Sequence, residues 1–95
     1  MVTRFGITLT RGVNDRVADD STFAKAVWSA IQRFGNQDWG NVDREDQSTN
    51  DMMYQALNRG EVGMVLGSYD DYDDCPKFWI IRDTETTTVL FPSEY

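Results

Sequence analysis

Apolar and polar residues alternate near the start of this chain. Phe5, Ile7 and Leu9 are separated by Gly6 and Thr8, a period of two that predicts a half-buried strand. Arg11-Gly12 and Asn14-Asp15 follow and predict a turn, because Gly and Asn tolerate positive φ. The period then changes. Phe23, Val27, Ile31 and Phe34, with Ala24 and Ala30, fall at spacings of three and four, and predict an amphipathic helix over residues 22–34 with Trp28 at the edge of its stripe. Asp19, Asp20 and Ser21 supply its N-cap, and Gly35 is expected to take the left-handed cap at its end.

A thinner stripe, Met53, Tyr54 and Leu57 with Met52 and Ala56, predicts a second helix over residues 44–58. Asp43 can cap it, Glu45 and Asp46 complement the dipole in its first turn, and Gly60 is placed to stop it. Asn50 shares the apolar face. A polar residue there is expected to hydrogen-bond backbone where the helix meets a sheet. Between the helices, residues 36–42 hold Trp39, which is expected to pack back on the core as a lid; its functional reading is an exposed anchor for a partner.

Three strands should close the chain. In residues 62–69, Val62, Met64 and Leu66 alternate with Gly63, Val65 and Gly67, and two glycines in one strand suggest close approach of another element or a bulge. Phe78 and Ile80 alternate with Trp79 and Ile81, so that strand is apolar on both faces and expected to be central. A tight turn at residues 83–86 leads to Thr87, Val89 and Phe91, with Pro92 as terminator. The order β-α-α-β-β-β predicts one α+β domain over residues 1–95. Its antiparallel sheet would have about four strands, the last three as a meander, with two helices on one face.

Ninety-five residues suffice for a single core, burying roughly 60–65% of the unfolded surface. No apolar run approaches the ~20 residues that span a bilayer, and the start shows no secretory pattern. The one cysteine cannot form an internal disulfide, which points to a reducing cytoplasm. The net charge of −7 is unevenly placed: residues 1–40 sum to +1 (five Lys/Arg, four Asp) and residues 41–95 to −8 (four Lys/Arg, twelve Asp/Glu). Such a field repels nucleic acid and lipid headgroups and favours basic partners, although plain solubility explains many acidic domains equally well.

Residue types speak against catalysis. The chain has no histidine, which removes the commonest general base and metal ligand. Cys75 follows Asp70, Asp71, Asp73 and Asp74, whose charge disfavours a thiolate. No phosphate-cradling glycine motif occurs, and the aspartate run lacks the glycine and glutamate of a calcium loop. No spacing singles out a carboxylate pair for glycoside hydrolysis. We therefore expect a protein without enzyme activity, cofactor or metal.

What remains is recognition. Asp70, Asp71, Asp73 and Asp74 surround Tyr72 in one loop, and Asp43, Glu45, Asp46, Asp51 and Glu61 come from the second helix and its exit. The bland reading is a charged hairpin loop that protects a sheet edge. The sharper reading is a patch that copies phosphate spacing and fills a Lys/Arg groove meant for nucleic acid, with Tyr72 and Trp39 as apolar anchors. An interaction module paired with another protein, or a homo-oligomer built on a strand edge, are the other classes; monomer and homodimer both remain open.

Asp38-Trp39-Gly40, Glu45-Asp46, Asn50-Asp51, Phe78-Trp79-Ile80-Ile81 and Thr87-Thr88-Val89-Leu90-Phe91-Pro92-Ser93-Glu94-Tyr95 together resemble a family of small bacterial "plasmid-related" proteins of plasmids, integrative elements and prophages. Thr10-Arg11-Gly12-Val13 echoes a Thr-Pro-Gly turn near that family's start, with Arg11 in place of the proline. The acidic loop here is longer than the family pattern. The resemblance implies a mobile-element setting, where small acidic proteins often disarm host restriction or CRISPR machinery, and where an antitoxin-like role is the alternative.

Overall fold

The computed structural model describes residues 2–4 and 6–95. Its elements run β1 (Val2–Arg4), β2 (Ile7–Leu9), α1 (Arg11–Asp19), α2 (Ser21–Gly35), α3 (Arg44–Asn58), β3 (Val65–Tyr69), β4 (Phe78–Arg82), β5 (Thr87–Leu90) and a closing 3-10 turn, Pro92–Glu94. The class is α+β, as the sequence pattern implies. Among the described residues the counts differ: three α-helices instead of two, and five strands instead of about four. Of the expected first strand, Phe5 lies outside the described residues.

The sheet has the order β1-β2-β5-β4-β3. β3, β4 and β5 form the expected antiparallel meander, with Gly67 opposite Ile80 and Ile80 opposite Val89. β2 joins the β5 side in parallel, Leu9 opposite Val89, so the sheet is mixed and not wholly antiparallel. Parallel neighbours need a long crossover, and everything from α1 to β4 lies between them in the chain. The helices cover one face. Val13, Phe23, Val27, Phe34 and Leu57 pack with Leu9, Val65, Tyr69, Phe78, Ile80 and Val89 in one buried cluster. On the other face Trp79 and Ile81 are half-buried, and Tyr95 meets Trp79 edge-on at 5.8 Å.

α1 occupies the segment where turn chemistry is expected. Thr10 caps it, its hydroxyl accepting from the Val13 amide (3.5 Å), and the opposite end of the chain braces it. The Glu94 carboxylate accepts from the Thr10 hydroxyl (2.6 Å), the Gly12 amide (3.0 Å) and the Phe91 amide (2.9 Å), satisfying a free helix N–H that no nearby residue reaches. Gly12 suits that approach, since a Cβ there would stand 2.7 Å from Oε2 of Glu94 and push the carboxylate aside. Burial alone would raise the Glu94 pKa, but these three donors outweigh it and hold the carboxyl below its usual range. Val13 and Val17, one turn apart, then face the core, Val13 with no exposure at all.

α2 is capped by Asp20, which accepts from the Thr22 and Phe23 amides. Gly35 does not take the left-handed conformation expected of it. That falls two residues later, on Gln37 (φ 62°), where the Gln37 amide bonds to the Phe34 carbonyl and the Asp38 amide to the Arg33 carbonyl. A non-glycine residue in this region is strained by about 1 kcal/mol, and the paired bonds offset it. α3 ends as anticipated: Gly60 (φ 84°) bonds to Leu57 and Glu61 to Ala56 in the same motif.

β3 is shorter than the alternating stretch that predicts it. Val62 and Met64 stand outside it and are exposed, while Val65 and Tyr69 point into the core. Gly67 makes room for the Tyr69 ring, whose hydroxyl would lie 2.7 Å from a Cβ at that position. The outer edge of β3 is closed to other strands. Asn50 donates its amide to the Leu66 carbonyl (2.9 Å) and accepts from the Leu66 amide, as the polar position on α3 implies. Beside it, the Trp39 carbonyl and the Asn41 amide bond to Ser68. Strand addition at this edge is blocked.

Candidate functional site

The loop between β3 and β4 carries Asp70, Asp71, Asp73 and Asp74, and its conformation depends on one half-buried cation. Arg33, on the last turn of α2, donates to both Asp38 carboxylate oxygens (2.8 and 3.4 Å), to Asp71 (3.0 Å) and to the Tyr72 hydroxyl (3.2 Å). Its guanidinium lies over the rings of Tyr69 (5.0 Å) and Tyr72 (5.5 Å). Asp38 and Asp71 raise the Arg33 pKa still further, and Arg33 in turn holds the Asp38 carboxyl below its ordinary value. Tyr72 stacks on Phe78 and exchanges a hydrogen bond with Ser29 (2.8 Å). The loop is therefore bolted to α2 and the core through its centre.

That arrangement changes the part played by both proposed anchors. Trp39 is only 2% exposed, edge-on to Phe34 and Tyr54, and its indole N–H donates to Asp51 (2.9 Å). It is the lid and not an exposed anchor, because the Gly40 turn folds residues 39–41 along β3. Gly40 (φ 73°) has no room for a Cβ against the Ser68 carbonyl. Tyr72 is half-buried with its hydroxyl engaged, so it props the loop and offers at most a ring edge outward.

The carboxylates divide into three groups. Asp70 and Asp71 lean toward the connector, Asp70 accepting from the Asn41 side chain (3.0 Å), which leads directly to Asp43, Glu45 and Asp46 at the start of α3. Asp43 is used as a cap and accepts from the Asp46 amide (2.9 Å); the side chains of Glu45 and Asp46 have no partner among the described residues. Asp51 lies two turns on, tied to Trp39 and Gln37. Asp73 and Asp74 face the other flank, and Asp74 takes the left-handed conformation (φ 61°). They stand beside Cys75, whose thiol pKa is raised by burial first and by Asp20, Asp74 and Asp73 after it. Glu61 is not part of the patch. It pairs with Arg59 (2.7 Å) at the far end of a helix roughly 22 Å long.

The result is an acidic loop linked through Asn41 to the acidic start of α3, with half-buried Arg33 holding the loop to α2. Arg33 and Asp38 were absent from the sequence-based site, since their meeting depends on the reversal at residues 36–38. Among the described residues no three Cys, Asp or Glu side chains are arranged to hold a metal ion, and no helix is long and apolar enough to cross a membrane. Comparison with family models, with curated proteins and with solved structures finds no match.

Proposed function

We propose that this protein is a non-enzymatic inhibitor that occupies a basic, nucleic-acid-binding groove of a host defence complex, of the anti-CRISPR or anti-restriction kind. The observation that carries the reading is that Asp70, Asp71, Asp73, Asp74, Glu45 and Asp46 are all exposed, on a loop anchored through Arg33 and Tyr72 and on the first turn of α3. Carboxylates carried on folded backbone meet lysines and arginines with less ordering cost than a disordered acidic tail incurs on binding. The mobile-element resemblance supports the same setting, a bacterial cytoplasm with a protein as target and no direct contact with nucleic acid or membrane. Trp39 has no place in this interface and Glu61 lies outside it.

The test is binding of the purified protein to Cas effector complexes and restriction enzymes across a salt series. A complex that weakens steeply with salt, and is lost when Asp70, Asp71, Asp73 and Asp74 are all changed to Asn, is the expected result. The absence of any complex at low salt, or an affinity unmoved by the four changes, overturns the reading. Exposed Met52, Val62 and Met64 favour a second reading, an antitoxin-like module that binds its partner through apolar contacts. Its complex would be insensitive to salt.

A further inference from the structure

A pocket of about 260 Å³ opens between the helices and the sheet. Its walls are apolar: Ile7, Ile31, Phe34, Tyr54 and Ile80, with Arg82 at one side. Arg82 is half-buried, its guanidinium 5.0 Å from the centre of the Tyr54 ring, and one Nη donates to the Asn58 side chain (2.9 Å). No carboxylate reaches it among the described residues. Asp83, next in the chain, makes no ion pair with it and accepts at Oδ1 from the amides of Glu85 and Thr86 and the Thr86 hydroxyl. In a chain of net charge −7, a partly desolvated cation with unused donors beside an apolar cavity is an unfilled demand for an anion.

We infer that this pocket binds a small monocarboxylate with an aromatic or short aliphatic body, its carboxylate on Arg82 and its body against Ile7, Ile31 and Ile80. The ligand class follows from two features. A guanidinium fork with free N–H groups matches a carboxylate in two-point geometry. Walls of this composition exclude a bare inorganic anion and accept a ring or a short chain. The volume sets the size: at ~30 Å³ per water-sized group, about nine such groups fit, the scale of phenylacetate. This inference stands apart from the acidic interface and uses none of its residues.

The experiment is an NMR titration of the full chain with phenylacetate, and with phenethylamine at matched ionic strength as the cationic control. Saturable shifts at Ile7, Ile31, Gly35 and Ile80, with a dissociation constant on the order of 1 mM, are expected for the carboxylate only. Arg82→Gln should weaken binding at least ~10-fold, the equivalent of one lost charged contact, and Arg82→Lys should restore part of it. Ile31→Phe, which fills the cavity while leaving Arg82 in place, should abolish it. No saturable shift, shifts mapping elsewhere, equal response to the amine, or undiminished binding by Arg82→Gln would each overturn the assignment. Thermal melts confirm that each variant is folded, and Arg82→Lys keeps the charge test available if Arg82→Gln is not.

Discussion

Arg33 and Arg82 are the same residue in closely similar settings, and they do opposite things. Both are half-buried, both lie 5.0 Å from the centre of a tyrosine ring, and both reach across from one element to another. Arg33 meets two carboxylates and a phenol, and it becomes a closed cross-link between α2, the connector and the acidic loop. Among the described residues Arg82 has the Tyr54 ring and the Asn58 side-chain oxygen but no carboxylate, and it keeps its charge uncompensated beside a cavity. The difference lies in the neighbouring backbone. The reversal after α2 delivers Asp38 to Arg33, whereas the tight turn after β4 engages one oxygen of Asp83 with its own amides. A guanidinium is thus a structural bolt or an open receptor according to how adjacent turns spend their carboxylates.

Breaking the bolt should have the largest effect. Arg33→Met keeps the aliphatic stem and removes every charged bond, and we expect a loss of about 2–3 kcal/mol in urea denaturation, since bonds to charged groups contribute roughly 1.5–3 kcal/mol and are not additive. Amide exchange of residues 70–75 should accelerate beyond the change in global stability. If those amides stay protected, the loop is held by Tyr72 and Phe78 alone.

Acid sharpens the contrast at intermediate size. The Asp20 carboxyl is held low by the Phe23 amide and then by Arg16, and that of Asp38 by Arg33, each below its ordinary 3.8. Because the folded pKa values are depressed, their contribution is present above about pH 4 and is lost as pH falls through the folded values. Melting temperature should therefore drop as pH is lowered from 4 to 2. Arg33→Met should flatten the share due to Asp38 and leave that of Asp20. An unchanged slope in the variant would show that Asp38 and Arg33 are not coupled.

The smallest effect belongs to the open site. Arg82→Gln forfeits a contact with the Tyr54 ring worth roughly 0.5–1 kcal/mol and one exposed hydrogen bond to Asn58, so stability should fall by about 1 kcal/mol, less than for Arg33→Met. A loss as large as that of Arg33→Met would mean that Arg82 is a second bolt.

Periodicity and capping chemistry decide α2 and α3 locally. Stripes at three and four, Asp20 and Asp43 as caps and Gly60 as terminator act within a few residues, so they can be read from the chain. The same holds for Asn50, whose polar side chain on an apolar face demanded a backbone partner, and for the acidity of residues 70–74. Only the tertiary structure decided the rest. α1 is held by a carboxylate 82 residues away from Gly12, and residues 11–15 look like a turn until Glu94 arrives. The parallel pairing of β2 with β5, the burial of Trp39 and the meeting of Arg33 with Asp71 likewise join distant segments. Local sequence sets which backbone conformations are cheap. Which charges and edges are left over for a partner depends on contacts that exist only once the chain has closed on itself.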